Sequence, residues 1–456
     1  MTFARELGAF AANLAVAGLP PDVDREARRC VLDTLGVAIA GARHPMLEAV
    51  IRTAREVYGT GACRTVVAGC DLTPAGAAFV NGTAAHAWDF DDTCYVGIVH
   101  ASAVVLPAIT ALAQSRNSTY GDLRAAFVAG VETIYALGDS LGNAVYFDGW
   151  WTTGLFGSIG AAAGAARILG LDAHACATAI AHAATAAAGL RAVLGTAAKP
   201  LGCGHAARLG VEAASLAAAG LDAPLDIFEH RCGFAATRGR TLAPIPLPYK
   251  VWRMLSPGAA RKIFPACSAV QAAGEAFLEL KREYAIEAEA ITSIECATTR
   301  LVVESLIFER PETAAQAQFS IQAALACLID TDRFGVKELS EKAWQAPRAG
   351  VQLTKIRMSH EPRLFDEVSE PEGAEVTVIL ANGERLRRRL AIATGTPGRP
   401  MTDEQQAKKF ADCATPSLGA EGAEALRLYV LQGDGTIRWR QEDPAKKSEE
   451  LGARRF

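Results

Sequence analysis

Residues 81–107 read NGTAAHAWDFDDTCYVGIVHASAVVLP. The stretch gathers His86, Asp89, Asp91, Asp92, Thr93 and His100 in surroundings otherwise rich in Ala, Val and Leu. His86, Asp89 and Thr93 are spaced i, i+3, i+7, which on a helix puts them on one face. Carboxylates in an apolar setting cost free energy unless they are paired or hydrogen-bonded. One such acid reads as a capping or solvated residue. A run of three beside two imidazoles reads as a site. After His100 a new helical run begins, with Ser102 placed to cap it, and free N–H groups at a helix start favour anions such as carboxylates.

Outward from this stretch the chain is helical on both sides. Pro20-Pro21-Asp22 opens one helix, and Thr73-Pro74 fits the N-cap and first position of the helix that runs through 72–90 into the acids. Further helices are expected at about 101–115, 121–137, 154–169, 172–189 and 204–219, by apolar spacing. They are rich in Ala and Gly, so their axes can approach closely. Gly154, Gly157, Gly160 and Gly164 lack the preceding strand and following acid of a dinucleotide fold, and read as helix packing.

The character changes near Pro265. Segments 291–297, 351–358 and 374–380 alternate with β-branched residues, and Asn382-Gly383 is a hairpin signal between 376–380 and 386–392. Residues 395–400, Gly-Thr-Pro-Gly-Arg-Pro, read as a linker. Thr402 with Gln405 forms a capping box for a helix through Phe410, and 421–431 is helical again. The charged end, 442–456, reads as frayed.

The composition is globular: 456 residues, 50% hydrophobic, 21% charged and a net charge of −4. Its one short basic run, Arg387-Arg388-Arg389, falls in an expected strand, so no nucleic-acid partner is expected. Eleven scattered cysteines without a CxxC pair read as reduced thiols. There is no signal-peptide pattern or membrane span, and the expected location is the cytoplasm. Metal-binding spacings are not evident.

Asn81-Gly82, His86, Asp89-Phe90-Asp91-Asp92-Thr93, His100, Ser102 and Pro107 resemble the signature of the MmgE/PrpD family, and the resemblance extends over nearly the whole chain. It implies a mainly α fold: a large all-helical domain, here 1–265 plus 401–456, with a smaller α+β lid, 266–400, inserted in it. It also implies a homodimer and a cofactor-free site for small di- or polycarboxylates. Lys199-Pro-Leu-Gly-Cys-Gly-His-Ala206 fits the family's active-site lysine helix. A lysine held between apolar helices can serve as a base or clamp a carboxylate.

Three positions depart from the dehydratase and decarboxylase members. Trp151 stands where they usually carry a histidine, Gln271 where a histidine follows Tyr-Pro-x-Cys, and Ala323 where a tyrosine ends Phe-Ser-x-x-Tyr. Losing two imidazoles and a phenol argues against elimination chemistry. The expectation from sequence is therefore an isomerase: cofactor-independent epimerisation of iminodisuccinate, an activity found in the family. Lys199 and Tyr146 would be its two bases and His100 the substitute. Asp89, Asp92, His86, Thr93, Arg191, Trp151 and Ser268 would bind substrate or support the bases. The alternatives are a dehydratase or decarboxylase of a citrate-like acid, or a non-catalytic dicarboxylate binder.

Overall fold

The computed structural model describes residues 1–116, 118–245, 251–366 and 370–434. Residues 442–456, expected to be frayed, lie outside them. The protein is mainly α, with two small sheets.

The first half contains α1 (Phe3–Asn13), α2 (Pro21–Gly41), α3 (Met46–Tyr58), a short antiparallel pair β1 (Thr60–Arg64) and β2 (Asp71–Leu72), then α4 (Pro74–His86). It continues with α5 (Ser102–Arg116), α6 (Tyr120–Leu141), α7 (Ala144–Phe147), α8 (Thr152–Ile168), α9 (Ala173–Ala186) and α10 (Ala198–Ala218). These helices surround one large apolar core in which α4, α5, α8 and α10 pack side by side. Small residues set the spacing. A Cβ on Gly160 of α8 would lie 2.5 Å from the Gly130 carbonyl oxygen of α6, so the two backbones touch there. The expected packing role of this glycine series is what the structure has.

The α2–α4 crossing is equally tight: a Cβ on Gly41 would sit 1.9 Å from the Ala84 carbonyl oxygen. Gly41→Ala is expected to cost about 1–3 kcal/mol in urea unfolding, because α4 must be pushed away. It should also lower activity, since α4 ends at His86.

The second half is built from α11 (Gln271–Glu283), β3 (Ile291–Thr298), α12 (Arg300–Ser305), α13 (Ala314–Ala317), α14 (Ile321–Thr331), α15 (Val336–Ser340), α16 (Pro347–Leu353), β4 (Ile356–His360), β5 (Ala374–Leu380) and β6 (Arg385–Leu390). The sheet order is β4-β3-β5-β6, with β3 and β4 parallel and the other neighbours antiparallel. Gly383, at φ +85°, supplies the left-handed residue of the β5–β6 turn. This sheet and the helices against it form a second core, around Phe277, Ile294, Leu325 and Val376.

The chain then returns. α17 (Asp403–Gln432) starts at the capping box of Thr402 and Gln405, bends at Gly419, and lies against α2. Three expectations need correction. Val351–Leu353 belongs to α16 and not to a strand, because Pro347 starts a helix there. The helix expected at 204–219 begins at Ala198, so Lys199 is in its first turn. The helix expected through residue 90 stops at His86.

Candidate active site

That early stop builds the site. His86 is the last residue of α4, and the chain then turns sharply, with Asp89 at φ +48°. His86, Asp89 and Thr93 therefore do not share a helical face. The turn folds the acids back under His86, and all of residues 85–94 are buried. Ser102 does not cap α5. It is the first residue of that helix and donates its hydroxyl to Asp92 Oδ2 at 2.5 Å.

Asp89 is the centre of the charge. Its carboxylate lies 3.1 Å from Lys199 Nζ and 2.6 Å from Lys262 Nζ. Lys262 also donates to the Asp89 carbonyl at 2.7 Å, a double contact that the positive φ permits. Burial opposes the Asp89 charge, but the two ammonium groups outweigh it and hold the carboxyl below the ordinary range. Burial likewise works against Lys262, and Asp89 more than restores it, so Lys262 stays charged.

The imidazoles flank this pair. His86 Nδ1 lies 2.7 Å from Asp91 Oδ1, and its Nε2 lies 2.5 Å from Lys199 Nζ. The ammonium can only donate, so Nε2 accepts and Nδ1–H donates to Asp91. This arrangement fits a neutral ring, and burial pushes His86 down to about 4. His100 Nδ1 lies 2.9 Å from the Asp92 carbonyl and 3.3 Å from Asp91 Oδ2. Its Nε2 is left with a lone pair 4.0 Å from Asp89 Oδ1. Burial lowers its pKa as well. The backbone N–H of His100 is fixed by Thr153 Oγ1 at 3.0 Å.

His86, Asp89, Asp91 and His100 place ligand-type atoms within 4.8 Å of one another. The Lys199 and Lys262 ammonium groups already provide positive charge there, so the cluster is neutralised by the protein's own cations.

Trp151 closes one wall. Its ring centroid is 5.8 Å from that of His86 and 5.7 Å from Lys199 Nζ, and it packs on Gly202. The Phe319 ring lies on another side of Lys199, at 5.2 Å. Thr93 supports the turn through its backbone, which pairs with Ala260 at 2.7 and 2.9 Å and so sets the chain that leads to Lys262.

Tyr146 and Arg191 belong to a different set of contacts. Arg191 stacks over the Tyr146 ring at 4.3 Å and pairs with Glu304 at 3.7 Å. Burial pushes the Tyr146 phenol up to about 12. Tyr146 and Lys199 make no direct hydrogen bond with each other among the described residues. Ser268 donates to Glu372 at 2.6 Å, and Tyr95 donates to the same carboxylate at 2.7 Å, across the seam between the two cores. Lys262, Tyr95, Ser268 and Glu372 line a cavity of about 300 Å³ that leads up to the cluster.

Lys262 was missed from sequence, and Gln271 was read there only as a lost histidine. Gln271 accepts from the Ile263 and Phe264 N–H groups and donates to the Phe264 carbonyl, which shapes the loop that carries Lys262. The signal was available only as a lysine three residues before the Pro265–Cys267 motif.

Asp92 has one oxygen without a partner. Burial, with Asp33 and Asp91 nearby, pushes its carboxyl up to about 7, against the pull of Ser102 and Arg261. A folded value above the unfolded one means that its contribution is complete below about pH 4 and is lost as pH rises through 7. Asp92→Asn keeps an acceptor for Ser102. It is expected to exceed the wild type in stability at pH 8 by on the order of 2–4 kcal/mol, with no gain at pH 4. Urea titrations at the two pH values measure this; an equal difference at both would show that the buried charge is not the cause.

Two family models match the chain: the MmgE/PrpD N-terminal domain over residues 5–241 and the MmgE/PrpD C-terminal domain over residues 264–433. The chain belongs to the MmgE/PrpD family. Proteins similar to this chain include the cis-aconitate decarboxylase of Mus musculus, 28% identical over 443 residues, covering 92% of this chain and 88% of that one. The Homo sapiens cis-aconitate decarboxylase is 27% identical over 438 residues, covering 92% and 89%. The enzyme of that name from Aspergillus terreus is 25% identical over 463 residues, covering 94% and 92%.

These relatives overturn the isomerase expectation, iminodisuccinate epimerisation included: they are named as decarboxylases, which are lyases. The error has a physical source. Three groups are absent at Trp151, Gln271 and Ala323, but Lys262, which nothing in its sequence surroundings marks, reaches the cluster from the second half of the chain. No helix among the described residues is long and apolar enough to cross a membrane.

Proposed function

We propose that this protein is a lyase that decarboxylates a citrate-like unsaturated acid, of which cis-aconitate is the representative, without a cofactor. The observation that carries the reading is the convergence of Lys199 and Lys262 on Asp89 between two imidazoles. The names of the relatives support it.

In an unsaturated tricarboxylate the bond to the departing carboxyl breaks and CO₂ leaves. The released pair forms a new double bond. The old double bond's electrons move to the carbon beside another carboxylate, which then takes a proton. The charge of the departing carboxylate moves onto the carbon beside another carboxylate, so negative charge gathers at that end in the transition state, and cations fixed there favour it over the substrate. Lys199 and Lys262 are those cations, with Asp89 holding both in place. His100 Nε2 is the group we assign to protonate the carbon. It is neutral in the resting site, and a bound polyanion raises its proton affinity. Trp151 and Phe319 supply the dry wall against which a carboxylate sheds its hydration. Tyr146, Arg191 and Ser268 are assigned to the periphery.

The test is proton NMR and CO₂ detection with purified protein and cis-aconitate. Release of CO₂ matched by a new unsaturated dicarboxylate supports the reading. Consumption of hydroxy-acids with loss of water, and no CO₂, would replace it with a dehydratase.

A further inference from the structure

A second cavity, of about 610 Å³, lies between α2, α4, α5 and the second half of α17. It is in the size range of small-molecule sites. Its walls are apolar, formed by Leu35, Ile39, Leu106 and Leu426 among others. It is separate from the lysine–imidazole cluster, although α4 contributes to both: Asn81 and Ala85 line this cavity, and the next residue, His86, belongs to the cluster.

Beside Thr65, Thr110, Gln114 and Tyr429, its lining holds three side chains with donors left unused. The Thr34 hydroxyl is buried, at 1% exposure, and has no hydrogen-bond partner. Asn81 is 7% exposed. Its side-chain oxygen accepts from the Val66 N–H at 2.8 Å, and its amide nitrogen has no acceptor among the described residues. Arg64 lies at the exposed edge, and its guanidinium makes no ion pair among the described residues. No acidic side chain lines the cavity. A buried hydroxyl without a partner costs free energy, and an acceptor placed beside it recovers that cost. These donors come from three elements, and none has an acceptor among the described residues.

We propose that this cavity is a binding site for an aliphatic monocarboxylate, with the chain along the Leu35–Leu426 wall and the carboxylate taken by the Arg64, Asn81 and Thr34 donors. The ligand differs from the polycarboxylate assigned to the cluster, and the proposal does not rest on that assignment.

Titration calorimetry of the full chain with decanoate, kept below its micelle concentration, tests it, with decylamine as the control of opposite charge. Decanoate is expected to bind once per chain and decylamine not at all. Arg64→Glu, at an exposed position, is expected to weaken decanoate at least tenfold. Thr34→Val has a distinct signature: it raises the melting temperature of the empty protein, because an unsatisfied hydroxyl is gone, and weakens decanoate several-fold. Equal uptake of decanoate and decylamine, or full affinity in Arg64→Glu, overturns the proposal. So does absence of decanoate binding together with a dimer, by sedimentation equilibrium, that Arg64→Glu dissociates, since the mouth would then be a contact between copies.

Discussion

Asp89→Ala is expected to destabilise the protein by about 3–5 kcal/mol and to abolish measurable turnover. The substitution strands two ammonium groups that the native structure has taken out of water. Lys262 is 1% exposed, and its nitrogen has Asp89 as its only carboxylate partner among the described residues. A buried ion pair is weak evidence of net stability, yet breaking one by removing a single partner is costly. Comparison with a double variant, Asp89→Ala with Lys262→Met, separates the two effects. Removing both charges should recover a large part of the stability lost in the single variant. Activity should stay absent, because Lys199 and His86 have lost the group that aligns them. Urea unfolding and a CO₂ assay report these outcomes. Equal stability of the single and double variants would mean that the Lys262–Asp89 pair is hydrated and that its burial has been misjudged.

The second large effect is at Lys199. Lys199→Ala removes a cation 3.1 Å from Asp89 and the donor to His86 Nε2 at 2.5 Å. Turnover is expected to fall by about 10²–10⁴-fold, the range for losing a group that acts mainly in the transition state. Folding should suffer less than in Asp89→Ala, because Asp89 keeps Lys262. Lys199→Arg is the sharper probe. It retains charge, but the planar guanidinium cannot match the single-point contact to Nε2 beside Trp151. It should therefore bind substrate and turn it over poorly, so kcat falls more than KM rises. Near-normal kcat in either variant would remove Lys199 from the chemistry.

How far the sequence could lead depended on the range of each interaction. Period and capping are local, and they marked the helices, the Asn382-Gly383 turn and the Thr402–Gln405 box within a few residues. The cluster of His86, Asp89, His100 and Lys199 was legible as well, because unusual residues in an apolar run signal themselves. The turn at Asp89 was not. Nothing in Trp88-Asp89-Phe90 marks a left-handed residue, and continuing the helical spacing put Thr93 on a face that does not exist. Lys262 was hidden for another reason. A lysine beside Arg261 reads as surface, and only a contact 173 residues away makes it part of the site. Tyr146 is a different case: close in sequence to the glycine-rich helix, it has its ring stacked under Arg191, a contact its sequence neighbours do not announce.

That long reach of Lys262 bears on the order in which the protein is made. While the ribosome has delivered only the segment up to α10, Asp89 and Asp91 have Lys199 as their ammonium counterion, and the pocket carries excess negative charge in an apolar core. Water must remain at the end of α4 until residue 262 is translated and docks. The nascent helical half is thus electrostatically unfinished, and the later half completes it as an internal counterion. Docking and drying of the pocket become one event, late in biosynthesis.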